Sequence, residues 1–487
     1  MKRAFAGSKR AFSWVQAGRE LLAVALPLMV SSSCWTIEVT VDRMFLSWYH
    51  PLAVGATVQS AMLFWAVLVL FHNCASYVTT FVAQYSGAGQ PERIGPVVWQ
   101  ALYWSTGSGL LFLAMIPLVP LAVARLGADP RLTEWQSQYL VSLCVSALPT
   151  LITAAVSGFF AGRGDSWTVL GINVVGMVAN VVLDYILIFG GLGIPSLGVF
   201  GAGLATALSA CLSAVVGLAL FWREPHRRIY RTWVGRAFDG GLMMRLLRFG
   251  VPAGLQWWFD SLAWTVFLIA IGWMGAVELS ATSIAFAINT LAYVPMLGLG
   301  QAVTILVGQH LGENSPARAT QTTWVGFLFT WIYMSTVAAL YYWTPGVFVD
   351  WFSGTPTGTA DDPQLRENVR QLTCRLLQFV AAYCLFDSMN IVFSSALRGA
   401  GDTVYVTWVS AGLSLPLLVF PSWASWYWNW GLGAAWMFAT LYVIVLGMVF
   451  LGRFLKGKWQ TMRVIEPVGD LDFIAASKSV WLDLNGC

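Results

Sequence analysis

Twelve long apolar runs alternate with short polar or basic turns along this chain. They cover residues 20–48, 53–84, 96–124, 136–160, 168–190, 198–222, 248–273, 279–308, 319–345, 372–397, 403–422 and 432–454. Each is long enough for the roughly 20 residues with which a helix crosses a bilayer. A membrane β-barrel would instead show shorter segments alternating polar and apolar positions. Within hydrocarbon a backbone amide must find its partner inside its own segment, so continuous apolar runs predict helices.

The twelve runs divide into two sets of six. Shifted by 225 residues, the chain matches itself without a gap from 21–93 to 246–318, with 16 of 73 positions identical. The pairs include Pro27/Pro252, Trp48/Trp273, Thr79/Thr304, Gln84/Gln309, Gly87/Gly312, Pro91/Pro316 and Arg93/Arg318. Apolar bias alone does not align prolines, glutamines and arginines. A second match, at an offset of 237, pairs Gly162-Arg-Gly-Asp165 with Gly399-Ala-Gly-Asp402. An even number of spans per repeat returns the chain to its starting side, so the repeats are parallel about an axis along the membrane normal. The predicted fold is an all-α polytopic membrane protein with twelve transmembrane helices in two parallel pseudo-symmetric six-helix lobes. The predicted divisions are an N-terminal tail (1–19), an N-lobe (20–222), a basic linker (223–247), a C-lobe (248–454) and a C-terminal tail (455–487). A substrate path is expected between the lobes.

Composition agrees and adds orientation. Hydrophobic residues make up 57% of the chain, charged residues 10%, and the mean hydropathy is +0.68. A soluble domain carries about 25% charged residues, so lipid must cover most of this surface. Of 27 Lys and Arg, 21 fall in the two tails and the loops on their side, while five lie in the other loops. That bias predicts both termini in the cytoplasm of a multi-pass inner-membrane protein. The basic stretch 223–248 reads as a cytoplasmic loop facing anionic headgroups. Trp423, Trp426, Tyr427, Trp428 and Trp430 read as an interfacial belt in one outer loop. His50 and His310, near predicted membrane surfaces, read as solvated. The seven scattered cysteines form no CxxC pair and read as small buried residues.

Five acids fall inside apolar runs: Glu38, Asp42, Asp184, Asp260 and Asp387. An Asp at mid-bilayer costs about 2.5–3.5 kcal/mol, so each is expected to be protonated, to face a watery cavity or to meet a cation. Arg43 is the one basic residue placed deep enough to pair with them, and neighbours on a helix diverge by about 100°. Glu38 and Asp42 share a helical face, as do Asn173, Asn180 and Asp184. Asp42 and Asp184 both fall in the outer half of the N-lobe and are expected to share one pocket. Gln256 and Asp260 form an i,i+4 pair that, with Asp387, makes a deeper site in the C-lobe. Pro27 precedes the first acids on the same helix and is a candidate hinge.

At these residues the chain resembles the MATE family, the multidrug and toxic compound extrusion transporters. The resemblance covers roughly 20–455. It rests on Pro27 with Val41-Asp42, on Gln84-Tyr-Ser-Gly87, on Gly162-Arg-Gly-Asp165 and on Asn180-Val-Val-Leu-Asp184. Further on it rests on Gly198-Val-Phe-Gly-Ala-Gly203, Val251-Pro-Ala-Gly254, Val307-Gly-Gln309-His-Leu-Gly312 and Leu397-Arg-Gly-Ala-Gly-Asp402. It implies a monomeric two-lobe exporter of amphipathic organic cations in the lipid bilayer, driven by influx of H⁺ or Na⁺. No cofactor, nucleic acid or enzymatic activity is implied. By motif match, Asp42, Asn180 and Asp184, with Thr206, fall where DinF-type members hold an N-lobe cation site, which Na⁺ could occupy. Asp260 and Asp387 fall where NorM-type members carry C-lobe acids. Asp260, where Glu is more usual, and Arg43 depart from the pattern.

Three other functions compete. A lipid-linked precursor flippase of the same superfamily would need deep basic residues for pyrophosphate, and none is expected here. An intramembrane aspartyl protease would use the two GxGD sequences, but its partner Tyr-Asp dipeptide is missing. Asp165 and Asp402 read instead as helix N-caps. A channel would not need acids in both lobes.

Overall fold

The computed structural model describes residues 13–125, 130–191, 193–353 and 363–466. The outer parts of both predicted tails, 1–12 and 467–487, lie outside the described residues, as does Cys487. Twelve helices are long and apolar enough to cross a membrane. They are α1 (Trp14–Tyr49), α2 (Leu52–Gly87), α3 (Pro91–Ala124), α4 (Leu132–Gly162), α5 (Ser166–Phe189) and α6 (Gly198–Phe221), followed by α7 (Gly240–Met274), α8 (Ala276–Gly312), α9 (Pro316–Trp343), α10 (Gln364–Ala400), α11 (Thr403–Tyr427) and α12 (Leu432–Leu455). Every predicted run falls on one of them, three runs overrunning the helix end by one or two residues. No strand occurs among the described residues, only an isolated bridge between Gly191 and Ile194.

The two lobes repeat one packing plan. In the N-lobe α4 packs against α2, α3 and α6, and α1 lies on α5. In the C-lobe α10 packs against α8, α9 and α12, and α7 lies on α11. The lobes join mainly through α1 on α8 and α2 on α7, which the 225-residue repeat turns into one another, and through the end of α2 on α8. α1 begins and α12 ends at one face, called here the terminal face. One continuous apolar core joins the terminal half of the N-lobe to the full height of the C-lobe. Around Phe45, Phe64 and Phe112 the far half of the N-lobe has a core of its own. Hence the lobes meet over their terminal halves and part towards the far face.

Local chemistry sets the helix ends. Asp165 accepts the Thr168 amide at 3.3 Å and caps α5 as expected. Asp402 stands at the N-cap of α11 as expected, but its carboxylate makes no capping bond and pairs with Arg453 at 2.7 Å. His50 is not simply solvated: its ring accepts the Leu52 amide at 3.2 Å. His310 is buried and lies 3.4 Å from Glu313. Trp423, Trp426 and Tyr427 lie within α11, which continues through a π-turn at Leu415–Val419. Prolines at 416 and 421 flank or occupy that turn and remove amide donors there. At the far face a short helix holds Asp350, which Arg370 of α10 grips through two bonds of 2.6 and 3.1 Å. Those bonds hold the Asp350 carboxyl below its ordinary range.

Candidate functional site

α1, α4 and α5 build the N-lobe pocket. Asp42 lies seven residues before the far end of α1 and Asp184 five before the far end of α5, depths of about 10 Å and 8 Å at 1.5 Å per residue. Asp184 is fully buried, and Asn180 lies buried one turn before it. Tyr139 of α4 donates its hydroxyl to Asp42 Oδ2 at 3.1 Å. Asp42 Oδ1, both carboxyl oxygens of Asp184 and Asn180 Oδ1 are buried with no hydrogen-bond partner. Glu38 is half-buried, faces Gly176 of α5 and acts on Asp184 through its charge, as Asp42 does. Asn173 ties α5 to α1 by donating to Ser31 Oγ at 2.5 Å.

The predicted members thus come together, with two differences. Thr206 turns back on its own helix, donating to Ala202 at 3.1 Å, and makes no hydrogen bond to the acids. Arg43 is exposed and forms no ion pair with Asp42 among the described residues. Acceptors therefore outnumber donors in this pocket. Ionised carboxylates only accept, and an unpartnered buried charge is strongly unfavourable. A bound proton or small cation would supply what is missing. No group of three or more His, Cys, Asp or Glu able to hold a metal ion occurs among the described residues. A cation here would rest on the two Asp carboxylates and the Asn180 carbonyl.

Tyr139 was not legible in advance, although a hydroxyl inside an apolar run calls for a partner. Replacing Tyr139 with Phe removes one hydrogen bond, about 1 kcal/mol. The expected result is a roughly fivefold shift in the ion concentration giving half-maximal transport. An unchanged ion titration would show that the bond contributes nothing to ion binding.

α7, α8, α10 and α12 build the C-lobe site. Asp260 accepts the Tyr442 hydroxyl at 3.0 Å, and Asp387 accepts Asn390 Nδ2 at 3.3 Å. Gln256 is buried one turn before Asp260, with its carbonyl oxygen unpartnered. Tyr293 of α8 lies within reach of both acids' charges. Asp387 is 13 residues from the terminal end of α10 and Asp260 is 20 from that of α7, about 20–30 Å deep. The C-lobe acids are the deeper set, as expected.

One expectation fails here. Sequence reading placed no deep basic residue in this lobe, yet the Arg398 side chain runs to Trp257, one turn before Asp260 on α7. Its position near the end of α10 suggested a side chain reaching for the terminal face. Instead Nη2 donates backwards to Ser395 Oγ at 3.1 Å. The guanidinium carbon lies 5.7 Å from the centre of the Trp257 ring on α7. A long flexible side chain can run either way along its helix, and neighbouring packing decides which.

The seam between the lobes uses the residues that align in the self-match. Gln84 of α2 donates to Gly399 O at 2.9 Å, and Gln309 of α8 donates to Gly162 O at 2.8 Å. Each bond crosses to the other lobe, and the repeat turns one into the other. A Cβ at Gly87 would collide with the Gln309 carbonyl, and one at Gly312 with the Gln84 carbonyl. Tyr77 adds a bond to Arg398 O at 2.9 Å. The chain after α12 folds beneath the seam. There the Val464 amide donates to Gln84 Oε1 at 2.8 Å, Tyr85 to Glu466 at 3.1 Å, and Arg245 pairs with Glu466. All hydrogen bonds between the lobes among the described residues lie in the terminal half.

Comparison with known proteins agrees with this arrangement. The MatE family profile matches residues 27–186 and 252–423. A probable multidrug resistance protein NorM of Thermotoga maritima is 24% identical over 454 residues, covering 92% of this chain and 94% of the relative. Its namesake in Pseudomonas syringae pv. tomato is 27% identical over 466 residues, covering 92% and 96%. A multidrug resistance MATE family transporter of the MOP superfamily, solved in an outward-facing conformation, superposes with a TM-score of 0.82. It is 19% identical, with 91% of this chain and 97% of that one covered. This multi-pass membrane protein belongs to the MatE family.

Proposed function

We propose that the protein exports amphipathic organic cations in exchange for H⁺ or Na⁺ by alternating access. The observation that carries this reading is the N-lobe pocket, where Asp42, Asn180 and Asp184 present buried oxygens without donors. The terminal face is cytoplasmic in this reading, so the lobes are closed inward and parted outward. An ion or proton reaching Asp42 and Asp184 from outside neutralises them and removes the obstacle to closing that pocket. α1 then moves against α5, with Pro27, which lacks an amide donor, as the point of bending. Cargo held near the acids leaves outward, and the lobes close at the far face. The two glutamine bonds and the strand of chain below them must then break for inward opening. One charge moving through 100 mV supplies about 2.3 kcal/mol, roughly a fifty-fold gradient of cargo. A singly charged cargo leaving against the same potential costs as much, so export needs a second ion or an ion concentration gradient.

A single guanidinium does not make a pyrophosphate cradle, so the flippase reading gains little from Arg398. The test is efflux of ethidium from proteoliposomes under separately imposed H⁺ and Na⁺ gradients. One gradient is expected to drive dye movement and the other to leave it at leak level. Dye movement under neither gradient, in protein shown to be folded, would overturn the export reading.

A further inference from the structure

Resting on that export reading, we propose that Arg398 and Trp257 form an anion-accepting subsite beside the C-lobe acids, for amphiphiles carrying a carboxylate as well as an amine. Arg398 sits where the lobes meet. Its backbone carbonyl accepts the Tyr77 hydroxyl from the N-lobe, and its guanidinium lies over Trp257 of α7. Ser395 Oγ takes one of its five donors. No Asp or Glu forms an ion pair with it among the described residues. Asp260, one turn beyond Trp257 on α7, already accepts from Tyr442. A half-buried guanidinium with unused donors is matched by an anion, and its planar fork suits a carboxylate.

Spacing then defines the cargo. Trp257 and Asp260 are three residues apart on one face of α7, a rise of about 4.5 Å. The guanidinium lies 5.7 Å from the centre of the Trp257 ring, and α7 carries Asp260 one turn further along. Trp257 sets an aromatic ring beside the guanidinium. A cargo bearing an amine alone meets the acids but is repelled by Arg398. A cargo bearing both groups satisfies both ends, so one side chain sets a preference by attraction and repulsion together.

Rhodamine B, which carries a free carboxylate, and its ethyl ester, a plain cation, form a matched pair. The measurement is kcat/KM for each dye in proteoliposomes, with wild-type protein, Arg398→Gln and Arg398→Lys. The acid-to-ester ratio should fall about tenfold in Arg398→Gln, mainly through KM for the acid, with Arg398→Lys between. A parallel loss for both dyes would assign Arg398 a purely structural role and overturn the subsite, as would an unchanged ratio. Binding of both dyes to detergent-solubilised protein, read by fluorescence polarisation, gives the same ratio if a variant does not reconstitute. Wild-type protein that exports the ester but not the acid refutes the subsite alone. Wild-type protein that exports neither dye nor ethidium refutes the export reading itself.

Discussion

Asp184→Asn and Asp42→Asn should each abolish ion-driven efflux while leaving the protein folded. The carboxyl oxygens of Asp184 are buried with no partner, and Asp42 has one, the Tyr139 hydroxyl. Their value to the protein cannot lie in static hydrogen bonding, because too little of it is made. Replacing an unpaired buried carboxylate with a near-isosteric amide removes a desolvation cost, so the thermal midpoint should hold or rise. Transport should respond in the opposite way. Without a group that takes up and releases the coupling ion, no inward-moving charge opposes the potential that holds a cationic cargo inside. The steady-state cargo gradient should then fall by about fifty-fold per 100 mV for each coupled charge. Dye efflux and thermal unfolding measured on the same preparations separate the two effects. Full-rate efflux in both variants would remove the N-lobe pocket from the mechanism. Asp260→Asn and Asp387→Asn apply the same measurement to the C-lobe.

Gly312→Val should prevent the terminal face from closing. The Cβ of any side chain at 312 would lie on the Gln84 carbonyl, and one at 87 on the Gln309 carbonyl. Both obstacles are backbone, so no rotamer relieves them, and α2 must move away from α8. That movement breaks the Gln84–Gly399 and Gln309–Gly162 bonds together. Overpacking of this kind costs about 1–3 kcal/mol, which shifts the balance between the two access states by about 5- to 150-fold. Spin labels at Arg93 and Arg318, just past the ends of α2 and α8, should report a longer separation than in wild-type protein. Gly87→Val should act alike, because the repeat relates the two contacts. Gly55 has open space around its Cβ, so Gly55→Ala is the control. Wild-type separation and transport in Gly312→Val would show that the seam yields more easily than its geometry implies.

The helices were readable from composition because hydrocarbon leaves the backbone no other choice. The lobes were readable because two segments 225 residues apart kept the same prolines, glutamines and glycines. Asp42, Asn180 and Asp184 were readable because charge inside an apolar run stands out whatever it touches. Their neighbours were not. Tyr139 and Tyr442 look like any other aromatic residue until α4 and α12 bring them against an acid. Thr206 looked like a member of the pocket, but its hydroxyl satisfied itself on its own helix.

Arg398 and the glutamine pair mark the limit most clearly. The self-match singled out Gln84 and Gln309 without saying why, since their partners lie 315 and 147 residues away. Arg398 counted as one more cytoplasmic charge until packing turned it inward. Helix formation and burial follow from the order of apolar and polar residues, because those forces act on each segment separately. Which donor meets which acceptor, and which way a long side chain runs, depends on contacts between segments. Those contacts exist only once the two lobes are folded against each other.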